Sequence, residues 1–428
     1  MALTRRLSWL ERNIANRMIA IPLIATAMAT LSFNASPARA GGLYTNEFST
    51  SSQGNAGAGR GAWVPDASAA LHNPAAMGQL DDHGFATGMS LAVGNVKFDP
   101  DSDSPRGGGG GQNQVGVAPL ASFTYAHHAS ERFRLGLSFF SISGSILDPD
   151  NDWAGRFQMT ELSLLTISVA PSVAIKITDW LSIGGGPVAT YGTVNWELRT
   201  DLPNGDEGNL RLDDFDDWQA SGRIGIHVQP TESLSFSLAW NSKTNFELDG
   251  KLRTPDALEA DPRIDLELPL AQFVDFGVAW QATEDLTLLG TFVWEDWSEA
   301  DNLEVSSGAQ SVNATTGFRD TYKFGIGANY QLRDDLLLQT GITYDTSGLK
   351  NKDRTVALPV DEQVRFALGV QYDLSPSTTI GGSFVYVNLG KGEVRTDTVS
   401  GDYKQNDLFV LGMHLAFKEL PWSGKASL

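Results

Sequence analysis

The side chains of this sequence that could do chemistry are few and scattered. Its six His stand at 72, 83, 127, 128, 227 and 414, and no Gly-x-Ser-x-Gly, His-Glu-x-x-His or phosphate-cradling loop accompanies them. His127 and His128 flank a predicted turn and should be solvated, while His72 beside Asn73 should be packed. The absence of Cys removes thiol nucleophiles, zinc–thiolate sites and disulfide scaffolds. Gly107–Gly111 is followed by no Lys-Ser/Thr and reads as a flexible loop. No residue is preferred as catalytic, and neither an enzyme nor a cofactor is expected.

What remains is isolated charge. Lys323 and Arg365 occupy polar positions in segments that otherwise alternate with apolar residues, so both should face an interior. A buried cation there needs an anion, either a ligand carboxylate or an acid such as Asp275 or Asp373. The whole chain carries 31 Lys+Arg against 51 Asp+Glu, a net charge of −20, which argues against binding nucleic acid.

The elements that hold these residues are strands. Leu162–Ile177 places Leu165, Ile167, Val169, Val173, Ile175 and Ile177 on one face and small or polar residues on the other. The alternation recurs in Phe133–Phe139, Ile224–Val228, Leu234–Trp240, Phe276–Trp280, Leu286–Trp294, Tyr322–Tyr330, Leu336–Tyr344, Val364–Tyr372, Ile380–Tyr386 and Phe409–Phe417. Short turns alternate with long polar connections, and Tyr and Trp collect near strand ends. Lipid outside, water inside and unequal loops at the two ends are the signature of an outer-membrane barrel. With Phe85–Phe98, Val115–Tyr125 and Leu181–Trp196 added, the expected fold is all-β, a 14-stranded antiparallel transmembrane β-barrel over residues 82–417, followed by a tail at 418–428. A soluble sandwich would need shorter strands and a buried aromatic face.

Export is readable at the start. Arg5, Arg6, Arg12 and Arg17 precede an uncharged run from Met18 to Ala38 that ends in Ala38-Arg39-Ala40, so residues 1–40 read as a signal peptide. Residues 41–81 are rich in Gly, Ala, Ser and Asn, have no period of two, and are too small and polar to fold alone. A fourteen-stranded barrel has a lumen that such a segment could plug as a hatch.

Here the residues carry a resemblance. Asn46-Glu47-Phe48-Ser49, the Gly/Ala run from Gly54 to Ala62, Asp66-Ala67-Ser68 and Asn73-Pro74-Ala75 resemble, in order and spacing, the hatch of the FadL family of long-chain fatty acid and hydrocarbon transporters. Trp153–Phe157, Gly317–Lys323 and Leu336–Asp345 extend the resemblance over the mature chain. It implies passive uptake of a hydrophobic small molecule across the bacterial outer membrane by a monomer. The ligand would be captured at the loops, held near Gly41 and the Asn73-Pro74-Ala75 turn, and released sideways through a kink in the third strand. In this chain that strand runs cleanly to Phe139 and then degrades, making Ser141, Ser143 and Gly144 the candidates for a lateral opening, although a strand fraying into its loop reads the same way.

Arg319 stands where fatty-acid members carry a basic residue, so the ligand-binding candidates are Gly41, Arg319, Lys323 and Arg365. Where such members have a second cation this chain has Thr193 and Asn195, which leaves room for neutral aliphatic or aromatic hydrocarbons. A non-specific porin and an outer-membrane lipid-acting enzyme are the remaining alternatives. The acidic stretch Asp206, Glu207, Asp213, Asp214, Asp216 and Asp217 could bridge lipopolysaccharide phosphates through divalent ions or hold Ca²⁺, but it lacks a calcium-loop spacing and reads as a hydrated surface. No metal site is expected.

Overall fold

A computed structural model describes residues 47, 50–141, 144–255, 262–308, 310–349, 351 and 353–418. The expected signal peptide at 1–40, Gly41, Ser143 and the expected tail beyond Lys418 lie outside them. In chain order the first strands are β1 (Gly84–Pro100), β2 (Val117–His128), β3 (Phe133–Phe140), β4 (Gly144–Leu147), β5 (Glu161–Thr178), β6 (Leu181–Asp201) and β7 (Glu207–Thr231). Next come β8 (Leu234–Asn241), β9 (Thr244–Arg253), β10 (Arg263–Leu270), β11 (Phe273–Gln281), β12 (Leu286–Glu295), β13 (Asn302–Ser307) and β14 (Gln310–Thr315). The last are β15 (Thr321–Arg333), β16 (Leu336–Asp345), β17 (Gln363–Ser375), β18 (Thr378–Asn388), β19 (Glu393–Arg395) and β20 (Ser400–Phe417).

Antiparallel pairing passes from β1 through β2, β3, β5, β6, β7, β8, β11, β12, β15, β16, β17, β18 and β20. β1 pairs with both β2 and β20, so the sheet closes on itself and leaves no outer edge. The remaining segments lengthen the wall beyond one end. β9 pairs with β10 and β13 with β14, so two of the long polar connections, at 247–267 and 298–317, are in part hairpins. The long polar connection at 197–216 is likewise mostly strand, because β6 and β7 stay paired out to Asp201 and Glu207. The cause is visible in β9, where Phe246, Leu248 and Leu252 alternate with exposed polar residues and join Ile264 and Leu266 in a buried cluster. Charged outward positions mask this period of two in the sequence.

Outside the ring the surface is apolar. Met89, Ile167, Ile224, Phe324, Ile326, Leu411 and Met413 are exposed on it. Trp218, Trp240, Tyr322 and Tyr344 lie toward the long-loop end and Trp180, Trp280, Tyr330 and Tyr372 toward the short-turn end, all exposed. Two aromatic belts around an apolar band fit a wall bathed in lipid between two headgroup layers.

The lumen is occupied by residues 50–81, which contain no strand but three short 3-10 helices, Gln53–Asn55, Ala67–Leu71 and Pro74–Gln79. Asn73 explains one of the motifs. Its Oδ1 accepts from Ala75 N at 2.9 Å, capping the turn that Pro74 starts, while Nδ2 donates to Ile226 O at 2.9 Å and Ser237 Oγ at 2.8 Å on the wall. Other fastenings run to the segment's backbone: Ser182 Oγ to Ala75 O at 2.9 Å, Ser235 Oγ to Ala62 O at 2.9 Å and Thr343 Oγ1 to Ala56 O at 2.8 Å. Two wall glycines are required by this close fit. A Cβ at Gly225 would run into the Asn73 amide, and one at Gly341 into the Asn55 carbonyl.

Candidate ligand site and wall gap

Below the long-loop end lies a cavity of ≈ 840 Å³. Its inner lining is apolar, with Val96, Leu147, Val387, Leu389 and Val410, and the loop residues Ala357–Val360 roof it. That roof is held by Arg354, fully buried, which donates to Asp361 Oδ1 at 2.9 Å and to Val360 O at 3.1 Å. Glu47, Gln363 and Arg365 form a polar end.

The cavity also touches Phe123, Phe139, Ile146, Leu165 and Ile167, whose side chains belong to the outer face of the wall. The register explains how one space can meet both faces. β2 and β3 pair only as far as Phe123–Phe139, whereas β2 and β1 stay paired to Val117. β4 resumes along β5 at Gly144–Leu165 after the pair Phe140–Ser168, a shift of one residue, and it has no pairing to β2 among the described residues. Residues 117–122 and 144–147 therefore bound a gap in the ladder. A one-residue bulge turns the strand away from its neighbour, here at the Ser and Gly positions that make it least costly.

The candidate residues fall in different places. Ser141 and Gly144 line the cavity at the gap, and the side chain built on Gly144 would meet nothing closer than 3.7 Å. Arg365 also lines it, but is already engaged: Nε donates to Glu47 Oε1 at 2.9 Å, Nη2 to Gln363 Oε1 at 2.7 Å, and Nη1 to Asp345. Lys323 Nζ sits 3.5 Å from Glu295 Oε1 and 3.8 Å from Asp345 Oδ2. Lys323 and Arg365 thus have acid partners, though not those expected. Asp275 pairs with Arg60 at 2.7 Å and Asp373 faces Lys418 at 3.7 Å. Arg319 is outside the cavity lining, its backbone N donating to Gly348 O at 2.9 Å and its guanidinium reaching Ser347 O at 3.4 Å. Thr193 lies opposite Leu165 and Asn195 opposite Ser163, on the face turned from the lumen, so neither stands where a luminal cation would.

Sequence reasoning missed Glu47, Asp345 and Glu295; the last two reveal themselves only through strand register, and Glu47 only through the packing of the N-terminal segment on the wall. Asp345 is the cross-strand partner of both Lys323 and Gln363, two residues along from the pair of Arg365 with Thr343 and on the same face. The acidic stretch does not converge. Asp213 meets Arg253 at 3.2 Å and Asp217 accepts from Gln219 at 2.7 Å, and no group of three or more His, Asp or Glu among the described residues could hold a metal ion. The His127 ring lies tilted against that of His83, centroids 4.6 Å apart, and hydrogen-bonds the Tyr125 hydroxyl at 3.1 Å, less solvated than expected. Beyond the membrane, Arg156 donates from Nη2 to Glu207 Oε1 at 2.7 Å, and this bonding holds the Glu207 carboxyl below its ordinary range.

Residues 31–415 match the family described as outer membrane protein transport protein (OMPP1/FadL/TodX). Outer membrane protein P1 of Haemophilus influenzae is 24% identical over 429 residues, covering 89% of this chain and 92% of that protein. The long-chain fatty acid transport protein of Escherichia coli strain K12 is 23% identical over 412 residues, covering 85% and 91%. A crystal structure of a Pseudomonas aeruginosa FadL homologue superposes with a TM-score of 0.82 at 19% identity, covering 88% of this chain and 99% of that one. The P. putida toluene transporter TodX does so with a TM-score of 0.68 at 16% identity, covering 88% and 99%. The fold is shared with both, and the family match spans nearly the whole barrel: this chain belongs to the OmpP1/FadL/TodX family of transport proteins and is a β-barrel of the bacterial outer membrane.

Proposed function

We propose that the protein takes up long-chain fatty acids or related hydrophobic small molecules, passively, by capture at the long loops and lateral exit through the gap beside β3 and β4. The observation that carries this reading is an apolar cavity of ≈ 840 Å³ bordered by both the inner and the outer face of the wall. A ligand there can move into lipid without crossing the aqueous lumen, and partitioning alone drives it. The wall would cross the membrane fourteen times, β3 with β4 counting once and β9, β10, β13, β14 and β19 standing above it. Residues 41–81 would form the hatch, inserted after removal of 1–40, with the Asn73-Pro74-Ala75 turn as its seat and Gly41 beside the ligand. The barrel would span residues 82–417 and act as a monomer among outer-membrane lipid and lipopolysaccharide, with the tail at 418–428 on the short-turn side.

A second reading is uptake of neutral aliphatic or aromatic hydrocarbons. It is favoured by Arg365, which lines the cavity with its charge already met by Glu47 and Asp345. The named relatives include both a long-chain fatty acid transport protein and a toluene transporter.

The test is native mass spectrometry on the purified mature barrel with long-chain fatty acids, alkanes and monoaromatics, together with conductance in a planar bilayer. Binding of long-chain fatty acids with a closed channel supports the first reading, and binding of hydrocarbons alone supports the second. Steady ion conductance without binding of any of them sinks both in favour of a porin.

A further inference from the structure

We infer that Arg223 is the carboxylate-binding residue of the ligand path, reached from the cavity past Phe140; this rests on the uptake reading above and names its ligand class as anionic long-chain lipids. Arg223 lies on β7 with its side chain in the lumen, 4% exposed. Its Nη1 donates to Leu71 O at 3.1 Å, and its Nε and Nη2 are buried with no hydrogen-bond partner among the described residues. Arg60, Lys323, Arg354 and Arg365 each lie against a carboxylate. Arg223 has no such partner among the described residues, and its cross-strand neighbours Gly186 and Asn241 bring no charge.

Nε and Nη2 form one edge of the guanidinium, the edge that grips both oxygens of a carboxylate at once. Burying that edge empty is costly, which is tolerated where a ligand completes it. The Arg223 guanidinium carbon stands 6.0 Å from the ring centre of Phe140. Phe140 is the last residue of β3, at the register shift, and lines the cavity. Rotation of that ring joins the apolar space to the free edge, so an acyl tail fills the cavity while its carboxylate passes Phe140 to Arg223. Arg365, saturated by two acids, then serves to hold the N-terminal segment.

The experiment compares palmitate with hexadecanol, a neutral chain of equal length, by binding to the mature barrel at pH 8 in the wild type, Arg223→Gln and Arg223→Lys. Palmitate affinity should fall at least about tenfold in Arg223→Gln, the size of one charge-assisted contact, and less in Arg223→Lys, with hexadecanol unchanged in both. Should the Gln variant fail to form a heat-modifiable barrel, the Lys variant carries the comparison, because it keeps the charge and loses the two-pronged edge. Palmitate binding indifferent to either substitution, or palmitate and hexadecanol falling together, overturns the assignment and leaves Arg223 as a tie to Leu71. A wild type that binds neither chain overturns the uptake reading itself.

Discussion

Arg365 donates from Nε to Glu47 Oε1 at 2.9 Å, so an ion pair at the edge of the cavity joins wall strand β17 to the N-terminal segment. Both side chains are mostly buried, which keeps the pair from the screening that weakens surface ion pairs. Glu47→Gln should loosen the segment by roughly 2 kcal/mol, the scale of a hydrogen bond to a charged group, while Asp345 keeps Arg365 from being stranded. Limited proteolysis checks this, with faster cleavage ahead of residue 50 and an intact barrel as the expected result. Unchanged cleavage would show that the pair does not anchor the segment.

Asn73 makes a larger contribution because it serves two purposes at once. Asn73→Ala removes the cap on Ala75 N and the bonds to the wall at Ile226 O, Ser237 Oγ and Leu238 O. The wall ladder does not pass through Asn73, so the barrel should still close. Planar-bilayer recordings are expected to show openings in the variant that the wild type lacks, from a segment that no longer stays seated. A variant as silent as wild type would place the seat elsewhere, at the Ser182, Ser235 and Thr343 bonds.

Much of this was legible in the residues, and the exceptions have a common cause. Strands bathed in lipid outside and water inside must alternate, so Leu165 and Ile167 announce their face without a structure. The Asn73-Pro74-Ala75 turn is local and equally readable. Alternation misleads nearer the long loops, where the interior is itself apolar. There Val194, Leu198, Phe246 and Leu248 turn inward into one cluster, so Thr193 and Asn195 are left facing outward. Acid partners were unreadable for a different reason. Which carboxylate meets Lys323 or Arg365 depends on register between strands, and Glu47 lies in a segment with no period at all. Arg223 was passed over because its lack of an acid is a property of the packed lumen, invisible in sequence.

The gap beside β3 is a matter of one residue, and deletion tests it directly. Removing Ser141 would bring Gly144 back into the register of Phe140 with Ser168, letting the strand run straight toward β2. Ligand binding to the purified barrel should persist within about threefold, since the inner apolar lining is untouched. Uptake of the same ligand by whole cells should fall at least about tenfold. Uptake at the wild-type rate would mean that the ligand leaves by another route.

Acid should release the outer loop that Arg156 ties to Glu207. The Glu207 carboxyl is hydrogen-bonded by Arg156 and held below the ordinary value of 4.5, so its proton is harder to add in the folded state than in the unfolded one. A lowered carboxyl contributes stability that is complete above the unfolded value and is lost as pH falls through the folded one. The loss therefore lies in the acid range below 4.5. Glu207 is 36% exposed, so solvent screening keeps the contribution under about 1 kcal/mol. The same loop carries Trp153, buried with its indole donating to Met159 O at 2.7 Å, which supplies a reporter. Acid titration of tryptophan fluorescence should show a step in the wild type that is reduced in Glu207→Gln, which lacks the titrating carboxyl. An identical step in both proteins would assign the transition to other carboxylates and show that the Arg156–Glu207 pair does not control the loop.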